Sequence, residues 1–144
     1  MAVDLDSWIR HEVAEDRGPS RAICLPQEDR AIGRVALRLP EFASDAVRCA
    51  AIWSSDQPAG ELSYWLVPQA RGRGSAGAAV RLMMSIVAST TMLRSVVLDV
   101  EPTNAPSVRL AERLGAERRD PSRVETDRAG RTRELVVHVL PVRP

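Results

Sequence analysis

Between residues 61 and 93 the chain changes once from strand-like to helix-like periodicity, and the change is made by a glycine-rich turn, Arg71-Gly72-Arg73-Gly74-Ser75-Ala76-Gly77. Glu61 to Val67 reads as a strand, and from Ser75 to Leu93 apolar residues recur at helical spacing. A glycine turn that opens a helix leaves backbone N–H groups without intrahelical partners at the positive end of the helix dipole. Two arginines in the turn add charge, so the segment has the chemistry that a phosphate requires.

The turn divides the chain into unlike halves. Asp4 or Asp6 can cap a short helix through Trp8, Ile9 and Val13, closed by Gly18-Pro19. Four strand-like runs follow without a helix between them: Arg21 to Pro26, Ile32 to Leu39, Val47 to Trp53 and Glu61 to Val67. Their short, turn-rich spacers predict an antiparallel meander. Beyond the turn, Val80, Leu82, Met83, Ile86, Val87 and Leu93 predict a helix burying one broad face. Ser95 to Val100 predicts a buried strand stopped by Pro102, and a second helix is expected over Ala105 to Leu114, with Gly115 in a left-handed cap position. Arg123 to Thr126 and Glu134 to Leu140, around Asp127-Arg128-Ala129-Gly130-Arg131, predict a terminal hairpin. No repeat, linker or low-complexity tract divides the 144 residues, so one domain over 1–144 is expected.

Composition removes several classes of function. A hydrophobic content of 44% and a charged content of 27% suit a globular domain, and a net charge of +1 makes no case for nucleic acid. All 20 basic residues are arginine, so neither a Walker A loop nor a lysine Schiff base can be built. Cys24 and Cys49 lie in apolar runs and are expected as buried, reduced thiols. The two histidines, His11 and His138, stand at no metal-ligand spacing, and no metal is expected. No apolar run approaches the roughly 20 residues of a membrane span, and Asp4, Asp6, Arg10 and Glu12 occupy the place of a signal peptide. A cytoplasmic chain without membrane contact is the expectation.

Gly72, Gly74 and Gly77 match the dinucleotide pattern G-x-G-x-x-G, and Asp99, 22 residues beyond Gly77, stands about where a ribose-binding acid belongs. Three features oppose an NAD-binding reading. Pro68 to Arg71 separate the strand from the first glycine, four strands without helices precede the turn, and only one further strand-helix unit follows.

A second pattern, R-x-x-G-x-A at Arg71, Gly74 and Ala76, belongs to acyl-CoA binding. Four pieces in order, Glu61 to Pro68, Arg71 to Ala76, Val100 to Ser107 and Leu110 to Ala116, resemble the GCN5-related N-acetyltransferases, or GNAT family. Within it they are most similar to the branch that acetylates N-terminal amines of ribosomal proteins. The resemblance covers roughly residues 20 to 140. It implies an α/β (α+β) fold with a mixed, mostly antiparallel central sheet, flanking helices and a V-shaped splay between the fourth and fifth family strands, here Glu61 to Val67 and Ser95 to Val100. It also implies acetyl-CoA as cosubstrate. Backbone groups near Leu66 and Val67 would bind the pantetheine arm, the amides of Arg71, Gly72, Arg73, Gly74, Ser75, Ala76 and Gly77 would hold the pyrophosphate, and Asn104 and Ser107 would lie along the arm. Thr103 or Asn104 also suits a helix N-cap, which is compatible with that contact.

Direct attack of an amine on a thioester needs a base, donors for the oxyanion and an acid for the leaving thiolate. Family members that use a glutamate on the fourth strand as base imply Glu61 for that role, with solvent exposure at a strand start as its plain alternative. Glu101 is a second candidate. The family's usual acid is a tyrosine on the helix after the fifth strand. Here the only tyrosine is Tyr64, on the other strand, and Ser107 stands as substitute acid. The family's first strand and helix are largely missing before the meander, which bears on the acceptor site and favours self-association, as in a homodimer. The expected partner is an amine, either a protein N-terminus or a small molecule. The alternatives are a catalytically degenerate acetyl-CoA-binding or interaction module and, third, an NAD-binding protein.

Overall fold

A computed structural model describes residues 17–27, 29–43 and 59–143. They form one six-stranded sheet in the order β1-β2-β3-β4-β6-β5. The strands are β1 (Ser20–Cys24), β2 (Ala31–Arg38), β3 (Gly60–Leu66), β4 (Ser95–Val100), β5 (Glu117–Thr126) and β6 (Thr132–Pro141). Helix α1 (Ser75–Thr90) follows β3, and α2 (Ala105–Arg113) follows β4. Every strand pairing is antiparallel except that of β3 with β4.

Alternation along the strands gives the sheet two faces. Leu37, Leu62, Leu66, Val96, Leu98 and Leu140 meet Val80, Met83 and Val87 of α1 and Leu110 of α2 in the main core. Val97, Val137 and Val139 project the other way and cluster with Ala43 and Ala59. Val80, Met83 and Val87 are all but inaccessible to solvent, and burying each contributes about 2 kcal/mol. Leu82, expected on the same face, is 69% exposed, because two residues along a helix is a rotation of about 200° and carries it away from Val80.

The main helix ends at Thr90, short of the expected Leu93. The hydroxyls of Ser89 and Thr90 donate to the Ile86 carbonyl and that of Thr91 to Val87, closing the last turn locally. Leu93 still packs on the core, from the loop. Helix α2 has both expected caps. Asn104 Oδ1 accepts from the Ser107 N–H, and Gly115, at φ 78°, places its own N–H on Glu112 and that of Ala116 on the Ala111 carbonyl.

The expected helix around Trp8 and strand Val47–Trp53 lie outside the described residues. Strand β2 pairs directly onto β3, from Gly33↔Leu66 to Arg38↔Glu61. Strand β5 begins six residues before the expected Arg123. It is an edge strand with its register broken between Arg119 and Arg123, so its sequence is charged and carries Pro121 rather than alternating apolar residues. Cys24, expected buried, is exposed: it ends the other edge strand on the side opposite Ile23, which enters the core. Cys49 lies outside the described residues.

His138 is 3% exposed in the middle of β6. Burial first, and then the Arg118 charge, hold its pKa below the ordinary 6.5, against the weaker pull of Glu112, Asp99 and Asp120. The folded protein therefore keeps His138 neutral where the unfolded chain takes up a proton. Its contribution is whole above pH 6.5 and is lost as pH falls through the depressed folded value, at up to about 1.4 kcal/mol per pH unit. Urea titrations between pH 7.5 and 5 are expected to show this fall, and His138→Gln is expected to flatten it.

Candidate active site

Parallel pairing between β3 and β4 is confined to Gly60↔Val96 and Glu61↔Val97. Beyond that apex the strands part, although each remains fully laddered on its outer side, β3 to β2 and β4 to β6. The gap is thus bounded by two held walls, as the family resemblance implies. Helix α1 packs across β2 and β3 and α2 against β4, so a helix stands behind each wall. The strands run parallel and part toward their C-terminal ends, and both helices begin there.

The Val67 N–H donates to the Ile32 carbonyl at 2.8 Å. Alternation along β3 then directs the N–H and C=O of Tyr64, and the N–H of Leu66, toward the side from which β4 has departed. Val67 itself is engaged on both backbone groups, since its carbonyl accepts from Ala70 at 3.0 Å. The Leu66 carbonyl accepts from Arg71 Nε at 3.2 Å. Of the two residues named for the pantetheine contact, Leu66 thus turns its N–H toward the gap, while Val67 has both backbone groups bonded within the chain. The missed signal was phase: a donor to β2 at Val67 leaves the even-numbered residues facing the gap.

In the glycine turn, Gly72 and Gly74 adopt φ of 78° and 79°, a region that favours glycine. A Cβ at either would meet nothing within 4 Å, so the positive φ, not crowding, accounts for glycine there, and the space in front of the loop is open. Gly74 caps α1 with no side-chain hydrogen bond, no acidic residue occupies the first turn, and the first helical bond runs from Ala78 to Gly74. Among the described residues the N–H groups of Ser75, Ala76 and Gly77 have no protein acceptor. Arg71 and Arg73 are exposed beside them. The Arg71 amide is committed to the Pro68 carbonyl at 3.3 Å, so among the described residues the amides of the turn without a protein acceptor begin after it.

Gly77 is buried, and a Cβ there would lie 3.3 Å from Leu110 Cδ1 of α2. Its place in the pattern is explained by the contact between the two helices, besides any contact with a ligand. Asp99, the acid of the dinucleotide reading, is held in a two-pronged ion pair by Arg123, which also bonds Glu125. Burial works against the Arg123 charge, but the hydrogen bond and charge of Asp99, then those of Glu125, outweigh it and raise its pKa further. An acid so occupied is not presented to a ribose.

Glu61 stands at the apex of the gap, half-buried, on the sheet face opposite Leu62, Tyr64 and Leu66. Ser107 lies in the first turn of α2, and the Tyr64 hydroxyl reaches its Oγ at 2.8 Å. Glu101 is half-exposed, 4.0 Å from Arg133. Among the described residues no cluster of three or more His, Cys, Asp or Glu could hold a metal ion, and no helix is long and apolar enough to cross a membrane.

Proteins of known structure share this architecture. A protein from Salmonella typhimurium, solved with its cofactor acetyl-CoA, matches with a TM-score of 0.71 at 18% identity, over 99% of this chain and 76% of that one. A ribosomal-protein-alanine N-acetyltransferase from Brucella melitensis matches at 0.70 and 20%, over 98% and 80%. A phosphinothricin acetyltransferase from Sinorhizobium meliloti, in complex with acetyl-CoA, matches at 0.69 and 18%, over 98% and 70%. At these identities the likeness is one of fold. No curated protein sequence matches. The family model described as an acetyltransferase (GNAT) domain matches residues 2–117, most of the chain, and the protein belongs to that family.

Proposed function

We propose that this protein moves an acetyl group from acetyl-CoA to an amine by direct attack on the thioester. The observation that carries the reading is the parting of β3 from β4 after Glu61↔Val97, with the uncapped N-terminus of α1 at its open end. A coenzyme in this place would set its pyrophosphate on the amides of Gly72 to Gly77, beside Arg71 and Arg73. Its arm would run down the gap past Asn104 and Ser107, bonding Leu66 N–H and the Tyr64 backbone.

Glu61 and Ser107 lie on opposite faces of the sheet, which would leave one free to serve the incoming amine and the other the departing sulfur. The base takes a proton from the incoming amine on one face, and the acid serves the departing sulfur on the other. Glu61 acts as base, through water where the amine is distant, and Ser107 acts as proton donor. The acceptor is a protein N-terminus or a small-molecule amine. The likeness to the Brucella melitensis enzyme favours the former, within the ribosomal-protein branch. Because the chain has no lysine, its own side chains offer no amine to compete in the assay.

The reaction is tested by thiol release from acetyl-CoA with a panel of N-terminal peptides, polyamines and aminoglycosides. Tight coenzyme binding without turnover on any acceptor would support a degenerate binding module instead. A thermal shift with NAD(H) and none with acetyl-CoA would end the acetyl-CoA reading.

Two substitutions probe the parts. Gly74→Asp and Gly74→Asn place side chains of similar size in the same left-handed position, so their difference isolates charge. The aspartate is expected to weaken acetyl-CoA binding at least about tenfold beyond the asparagine, by about 1.4 kcal/mol, in calorimetric titrations. Equal affinities would remove the loop from the site. Glu61→Gln is expected to lower kcat by about a hundredfold with the acetyl-CoA KM little changed, and to abolish the acidic limb of the pH-rate profile.

A further inference from the structure

Tyr64 and Ser107 are 43 residues apart in sequence, one on the β3 wall of the gap and the other on the helix that follows the β4 wall. Their 2.8 Å hydrogen bond joins the two sides where the backbone ladder does not. Its direction follows from chemistry. A phenol, with a pKa near about 10, is a far stronger donor than an aliphatic hydroxyl. Ser107 Oγ accepts from Tyr64 and keeps one proton of its own, which has no protein acceptor among the described residues. Tyr64 packs against the main core and is half-buried, so its ring is braced and its hydroxyl is held to one partner.

We infer that Tyr64 is the positioning residue for Ser107, orienting its proton toward the coenzyme sulfur and replacing that proton once it is given up. The inference rests on the acetyl-CoA reading above and adds to it a tyrosine placed on the strand instead of the helix. In the transfer step the amine nitrogen bonds the acetyl carbon, and the carbon–sulfur bond breaks with its electron pair passing to sulfur. Ser107 gives its proton to that sulfur as it takes the one from Tyr64, the phenolate is reprotonated by water, and the hydroxide so formed is neutralised by the proton that the base took from the amine.

A simple strut between β3 and α2 would make the same bond but would leave the sulfur's acidity alone. The decisive measurement is therefore the ionisation of the thiol of bound CoA, followed as the thiolate absorbance difference between CoA-loaded and free protein across pH. It requires no acceptor amine. In the unaltered protein the bound thiol is expected to titrate below the midpoint of free CoA measured in the same buffer. In Tyr64→Phe, which keeps the ring in the core, its midpoint is expected to rise by about one pH unit. Ser107→Ala breaks the bond from the helix end with a residue that helices favour, and is expected to raise it at least as far. The double variant is expected to match Ser107→Ala, because Tyr64 acts through Ser107. With an acceptor in hand, Tyr64→Phe is expected to lower kcat about tenfold at unchanged KM, and to do nothing further in the Ser107→Ala background.

An unshifted thiol midpoint in Tyr64→Phe with CoA still bound, or additive shifts in the double variant, overturns the inference and leaves the acetyl-CoA site standing. Failure of the unaltered protein to bind CoA overturns both. The expected thiol shifts without turnover on any amine sustain the Tyr64 role and remove only the transfer.

Discussion

The structure turns on the place where two parallel strands stop pairing. Strand β3 keeps its ladder to β2 and β4 keeps its ladder to β6, so neither relaxes when the bonds between them end after Glu61 and Val97. Backbone groups left along such an edge need partners, and water or an extended ligand can supply them. Side chains could have filled the opening. Instead the even-numbered side chains of β3 turn into the main core, and the wall facing the gap is backbone, a surface suited to the amide-bearing arm of a coenzyme. The two helices begin where the strands have parted, which sets an anion-receptive helix end and a hydroxyl-bearing helix turn on either side of one opening.

Their N-termini are finished differently. Asn104 accepts the Ser107 N–H, so the dipole of α2 is partly answered within the chain. Gly74 offers α1 no side-chain oxygen and leaves its first amides bare beside two arginines. Other charges are answered within the chain, as in the Asp99, Arg123 and Glu125 network that ties β4 to β5. That contrast bears on the candidate site, since a chain able to cap one helix leaves the neighbouring one open.

Much of this was legible in the residues. The start of α1 follows from the glycine turn, and the limits of α2 follow from Asn104 and Gly115, because caps are local chemistry. The mixed, mostly antiparallel sheet was implied by the family resemblance, and of the meander read from the spacers the structure has β1 on β2 and β2 directly on β3. What sequence could not yield depended on distant neighbours. Strand phase, which decides that Leu66 and not Val67 faces the gap, is fixed by the register against β2. The exposure of Cys24 depends on β1 being an edge strand, and the polar half of β5 was hidden for the same reason. The bond between Tyr64 and Ser107 has no local signal, since a tyrosine in an amphipathic strand ordinarily reads as core.

Gly77 carries a consequence of its own. With only hydrogen in place of a side chain, it lets α1 lie against Leu110 closely enough that one added carbon would sit 3.3 Å from the leucine methyl. The amide-bearing tip of one helix and the hydroxyl-bearing turn of the other are therefore gauged against each other through a contact with little slack. A bulkier residue at position 77 would therefore push the two helix ends apart and widen the opening between them, without removing a single polar group from either.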